Sequence, residues 1–163
     1  MSDQGTDATE PTGPGRYDFT SDPDGLTRED FPNSDDVLLG LLLAAVPGED
    51  DTDASVPVTL VVQGVLVSGN AVSFARWSKL WAARLTEGNQ VGGSALDRAL
   101  QDLVIARSDF RARREAKELP VPDSRHINLS DAVVLTGPHR YRVGLARVRR
   151  DRVDAWWLGM PSG

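Results

Sequence analysis

The feature that most constrains this chain is a change of hydrophobic period at Val56. Val56, Val58, Leu60 and Val62 alternate with Pro57, Thr59, Val61 and Gln63. A period of two places the first set on one face of an extended strand. Gly64 punctuates the run and residues 65–73 read as a second strand, so the pair predicts a hairpin. Gly69 falls inside that second strand, where a missing side chain marks a bulge or a sharp bend. The period then switches to a helical one: Phe74, Trp77, Leu80, Trp81 and Leu85 share a face that ends near Gly88. A loop over 87–93 leads to Ser94, the expected cap of a second helix over 95–116. The stripe of that helix is Leu96, Leu100, Leu103, Val104 and Arg107, fading after Phe110 into the charged stretch 111–118. Pro120 and Pro122 end this helical insertion.

Three further strands follow. In the first, Ile127, Leu129, Asp131, Val133 and Leu135 alternate with Asn128, Ser130, Ala132 and Val134. A turn at Gly137-Pro138 leads to strands over 141–149 and 152–158, read as a hairpin around Arg150-Asp151. Ahead of Val56, a short helix over 36–46 is expected, capped by Ser34 or Asp35 and closed by Pro47-Gly48. Its leucines occupy nearly every face, which predicts that it packs on the body. The expected fold is α+β: a small five-stranded antiparallel barrel with an N-terminal helix and a helical insertion, about 74–118, between strands 2 and 3.

Charge is placed unevenly. Residues 1–53 hold fourteen acids and two arginines, whereas residues 54–163 hold sixteen basic and ten acidic groups. An acidic arm joined to a basic body suggests two surfaces that attract each other or separate partners. Residues 1–33 have the composition of a disordered acidic tail, leaving 34–163 as one α+β domain. The longest apolar run, 37–46, is too short to span a bilayer. The opening thirty residues are polar and acidic, unlike a signal segment, so the expected location is the cytoplasm.

The chemistry-bearing residues are few. The chain has no Cys and two histidines, His126 and His139, which removes thiol catalysis and Cys-ligated metal. His126 and Asp131 lie five apart on a strand and so point to opposite faces. Asp97 and Asp102 are too far round one helix to share a metal. No nucleophile-elbow, P-loop or dinucleotide-binding glycine pattern occurs. The expectation is a protein that is not an enzyme, with no cofactor, no metal and no small-molecule substrate. The residues that suggest binding are a cluster of arginines, Arg140, Arg142, Arg147, Arg149, Arg150 and Arg152, and the tryptophans Trp77, Trp81 and Trp157. Arginines suit phosphate or an acidic protein surface, and tryptophans suit a packed interface.

Two resemblances carry further expectations. The run Val58-Thr-Leu-Val-Val-Gln-Gly-Val-Leu-Val-Ser-Gly69 looks like the first Sm motif. His126-Ile-Asn-Leu-Ser-Asp131-Ala132 is similar to its third strand, and the run from Gly144 to Val153 resembles the second motif. There Arg149-Arg150 stands in place of the usual Arg-Gly pair. This likeness implies an Sm-like or SH3-like small barrel and, as an alternative function, an RNA-binding module. The whole order, from the N-terminal helix to Trp157-Leu158-Gly159, also resembles the gas vesicle accessory proteins of the U type over residues 34–159. The shared pattern includes the run from Val58 to Ser73, the helix carrying Phe74, Trp77 and Trp81, and the strand Ile127-Asn-Leu-Ser-Asp-Ala-Val133. That resemblance implies a cytoplasmic, non-catalytic accessory protein in gas vesicle assembly or organisation, whose partners are other gas vesicle proteins or itself.

Overall fold

A computed structural model describes residues 17–31, 36–45, 54–88 and 90–160. The Val56 hairpin forms as β1, Val56–Val62, and β2, Val65–Val72. Gln63 and Gly64 close it, both with positive φ (51° and 79°), which matches the right-handed twist of the two strands. Two helices follow, α2 at Phe74–Gly88 and α3 at Gln90–Glu115. The sheet is completed by β3, His126–Thr136, β4, His139–Arg149, and β5, Val153–Leu158. Ahead of β1 stands α1, Val37–Ala45. Its first turn is capped by Asp36, whose carboxylate accepts from the Leu39 N–H at 2.9 Å. Ser34 and Asp35, the expected caps, lie outside the described residues.

The five strands are antiparallel in the order β4-β3-β2-β1-β5. β4 and β5 are therefore the opposite edges of an open sheet, and the closed barrel expected from the sequence does not form among the described residues. The reason lies in pairing: β5 runs beside β1, with Leu60 opposite Trp156, rather than folding back on β4 as a hairpin. Only Arg150–Arg152, a short 3₁₀ turn, joins the two edges. Across a flat sheet they would lie about 19 Å apart, whereas the chain from Arg149 to Val153 spans at most about 15 Å. The sheet is thus curled strongly enough to bring its edges near each other at that end without hydrogen-bonding them.

The curl is built from irregular strand positions. Register between β2 and β3 shifts around Gly69, where a Cβ would stand 2.9 Å from the Ser130 carbonyl oxygen. The bend expected at this glycine is present. Asp131 has φ 51° and sits at a register shift opposite β4. This bulge reverses the alternation predicted for β3: Ile127 and Leu129 face the core, but beyond the bulge Ala132 and Val134 do so, not Asp131 and Val133.

The core inside the curl is Val58, Leu60, Val67, Ala71, Ile127, Leu129 and Val148, closed by Leu39 with Leu42 and Leu43 from α1. A fully buried leucine such as Leu60 or Leu129 contributes about 1.5–3 kcal/mol. Outside the sheet, α2 and α3 pack on each other and meet it through Val72, Phe74, Trp77, Val104 and Leu145. α3 begins earlier than expected: Gly92 and Gly93, read as loop, are helical, and Gly93 lets α3 approach Thr86 of α2.

Residues 17–31 also depart from the sequence expectation. They form 3₁₀ turns at Phe19–Ser21 and Arg28–Asp30 and are tied to the body by ion pairs to Arg114 and Arg125. Phe19 contacts both Tyr17 and Phe31, with ring centroids 5.0 Å apart in each of the two pairs. Composition signalled solvation here, but it does not register a partner more than eighty residues away. Residues 1–16 and 32–33 of the expected tail lie outside the described residues.

Candidate functional site

The tryptophans divide by exposure. Trp77 is buried and its indole N–H donates to the Ala146 carbonyl oxygen at 3.1 Å, anchoring α2 to β4. Trp81, one turn on, stacks on it with centroids 5.5 Å apart and is 36% exposed. Trp157 is 40% exposed on β5 beside the exposed Leu158, with Met160 beyond. Its neighbour Trp156 turns inward and donates to Asp36 at 2.5 Å, linking β5 to the start of α1. Val37, Leu38 and Leu41 form the exposed side of α1.

The arginines do not form one hairpin patch, because no β4–β5 hairpin exists. Arg140 and Arg142 are exposed near the β3–β4 turn, about 30 Å and about 24 Å of extended strand from Arg149. Arg147 lies on the helix-facing side of β4, its guanidinium 5.4 Å from the centre of the Phe74 ring; Arg107 of α3 is 4.9 Å from the same ring. Burial, and then the positive charge of Arg107, lowers the Arg147 pKa. Arg149 pairs with Asp151 at the surface and Arg152 is exposed. Arg150 is turned inside. It is 8% exposed, and Nη1 reaches Asp123 at 3.3 Å.

Arg114 is the residue the sequence concealed. It is 1% exposed, holds Asp22 at 2.6 Å and Asp24 at 2.7 Å, and donates from Nε to the Pro120 carbonyl oxygen at 2.7 Å. Tyr17 adds its hydroxyl to Asp22 at 2.8 Å. The Arg114 hydrogen bond holds the Asp22 carboxyl well below the usual carboxylate range, and Asp22 in turn raises the guanidinium pKa. Arg125 similarly donates to Asp30 at 2.9 Å and to the Glu29 carbonyl oxygen. The asymmetry of charge between the two parts of the chain was the only sequence signal for these contacts.

His126 and Asp131 stay apart. Asp131 is exposed at its bulge and accepts from Asn70 at 3.2 Å, while His126 begins β3 near Arg147 and Arg149. Burial and those guanidiniums hold His126 below its ordinary pKa. Among the described residues no group of three or more His, Asp or Glu is placed to hold a metal ion, and no helix is long and apolar enough to cross a membrane.

A family model described as gas vesicle protein GvpU-like matches residues 36–161. The chain belongs to the GvpU-like gas vesicle protein family. No curated protein and no solved structure matches it. The GvpU-like match runs from the cap of α1 past the end of β5, so it takes in Trp77, Trp81, Trp157 and every arginine of β4 and the turn after it. The segment that seats Asp22 and Asp24 on Arg114 precedes the GvpU-like region.

Proposed function

We propose that this protein is a non-catalytic accessory protein that acts in the cytoplasm by contact with other gas vesicle proteins, or with a second copy of itself, during vesicle assembly or organisation. The observation that carries the reading is the family match across α1 through β5. The surface is consistent with it. Trp81 with Leu80 and Leu85 on α2, and Trp157 with Leu158 on β5, expose large apolar groups, and aromatic side chains anchor protein interfaces out of proportion to their number. Trp77 supports Trp81 from beneath. Arg140 and Arg142 flank the exposed Tyr141 and supply a charged rim. The separation of Arg140 and Arg142 from Arg149 and Arg152, and the burial of Arg150, leave no continuous basic hairpin on which an RNA-binding reading would stand.

The test is deletion of the gene in a vesicle-forming host, followed by complementation. Loss should change vesicle number, shape or clustering, and the wild-type chain should restore it. Trp81→Ala with Trp157→Ala, folded by circular dichroism, should restore it poorly. Vesicles unchanged on deletion in number, shape and clustering contradict the proposal.

A further inference from the structure

Arg150 presents a physical problem that its surroundings do not solve. It follows β4, its backbone N–H donates to the Arg125 carbonyl oxygen at 2.9 Å, and its side chain is turned inward. Asp123 takes Nη1, but Nε and Nη2 are buried with no hydrogen-bond partner among the described residues. Buried donors without partners are rare because each forfeits its hydration for nothing. Nε–H and Nη2–H also lie on the same edge of the guanidinium, the two-donor fork that receives a carboxylate or phosphate through parallel hydrogen bonds.

This residue lines a cavity of about 220 Å³ together with Arg107, Arg111, Ser73, His126 and Asn128. Arg111 pairs through Nη1 with Glu115 at 3.8 Å, while its Nε is likewise buried and unpartnered among the described residues. An adjoining cavity of about 470 Å³ shares Arg107, Arg111 and His126 and adds Arg125 and Arg147. Among the described residues, five guanidiniums and two carboxylates, Asp30 and Asp123, line the two spaces. Such an excess of positive charge favours a ligand of more than one negative charge over a single carboxylate.

One further group narrows the chemistry. Asn128 is buried, lines the smaller cavity, and its Oδ1 has no donor among the described residues. A hydrogen phosphate offers oxygens to the Arg150 fork and one P–O–H to that carbonyl. Sulfate carries no proton at neutral pH and would leave Oδ1 unpaired. We infer that the cavity between α3, the start of β3 and the turn after β4 is a binding site for a singly protonated phosphate group, held by Arg150 and Arg111 and recognised through its proton by Asn128. Burial first, and then the guanidiniums of Arg147 and Arg149, lower the His126 pKa, and the second cause agrees with a positive potential there. The inference does not depend on the vesicle reading, since it rests on the unpartnered groups.

The experiment is calorimetric titration of the full chain, at constant ionic strength, with inorganic phosphate, glycerol 3-phosphate, sulfate, acetate and chloride. Phosphate should bind at least about tenfold more tightly than sulfate, the value of one charge-assisted hydrogen bond. Whether glycerol 3-phosphate matches it tells a free ion from a phosphomonoester as the ligand; either pattern supports a phosphate site. Arg150→Lys keeps the charge but removes the fork, and should weaken phosphate at least about tenfold. Arg152→Lys, at an exposed neighbour, should leave affinity within about twofold. Should Arg150→Lys fail to fold, Arg111→Gln must weaken phosphate instead. No phosphate binding, sulfate bound as well as phosphate, or binding unchanged in the folded variant each overturns the assignment.

Discussion

Alanine at Gly93 and alanine at Gly88 are the same substitution in the same helical hairpin, and the structure separates their consequences. A Cβ at Gly93 would stand 2.3 Å from Thr86 Oγ1, 2.5 Å from its Cα and 2.7 Å from its backbone nitrogen. Two of those atoms are backbone, and Thr86 Oγ1 is pinned by its hydrogen bond to the Ala82 carbonyl oxygen at 2.9 Å. Side-chain rotation therefore cannot relieve the contact, and α2 and α3 must part by about 1 Å to restore van der Waals separation. Such overpacking costs about 1–3 kcal/mol. At Gly88 nothing lies within 4 Å of the added carbon, so the gain from stiffening the unfolded chain, up to about 1 kcal/mol, remains. Since that gain is common to both sites, the difference between the variants isolates the clash. Urea unfolding followed by tryptophan fluorescence should place Gly93→Ala about 1–3 kcal/mol below Gly88→Ala. Equal stability, or a more stable Gly93→Ala, would refute the close approach of α2 and α3.

The other expectations concern the core, the bulge and the acidic segment. Leu129→Ala should cost about 2–5 kcal/mol in the same assay, and a loss under 1 kcal/mol would remove Leu129 from the core. Ala132→Leu should destabilise by about 1–3 kcal/mol while Asp131→Ala stays within about 1; the reverse order would mean that β3 alternates without its bulge. Arg114→Met keeps the side-chain volume but releases Asp22 and Asp24, so trypsin should cut after Arg28 faster than in the wild type. Unchanged cleavage would show that these ion pairs do not hold the segment. Because the Asp22 pKa is lowered in the folded chain, its contribution is complete above the unfolded carboxylate value, about 3.9, and is lost as pH falls through the folded value below it. NMR signals of residues 17–31 should therefore keep their docked positions from pH 7 to pH 5, and a transition within that range contradicts the assignment.

Much of the fold was legible because its signals are local. The alternation from Val56, the glycines at 64 and 69, and the aromatic stripe of α2 each act over a few residues, and each produced the expected element. Where sequence reasoning failed, a distant partner or an unusual backbone decided. Asp tolerates positive φ better than most residues, but one Asp within an alternating run does not by itself mark a bulge, so the reversal of facing within β3 was hidden. The short link over Arg150–Arg152 resembles a hairpin turn, yet burial of Trp156 and Val153 against the core pairs β5 with β1. Gly92-Gly93 read as loop because helix propensity outweighed a close helix contact that only tertiary structure reveals. The candidate site suffers most. An arginine in a basic run reads as solvated whether it faces outward, as Arg152 does, or inward, as Arg150 does. Arg114 sits in a charged stretch whose acidic partners lie about ninety positions earlier.

The proposed contact with gas vesicle components is directly measurable, because vesicles float. Purified full-length chain is mixed with vesicles isolated from a strain lacking it, and the vesicles are floated by low-speed centrifugation. The protein should be recovered saturably in the buoyant layer, and less so in the folded Trp81→Ala, Trp157→Ala variant. Protein that stays wholly in the liquid beneath, at low and physiological salt alike, would contradict the proposed contact.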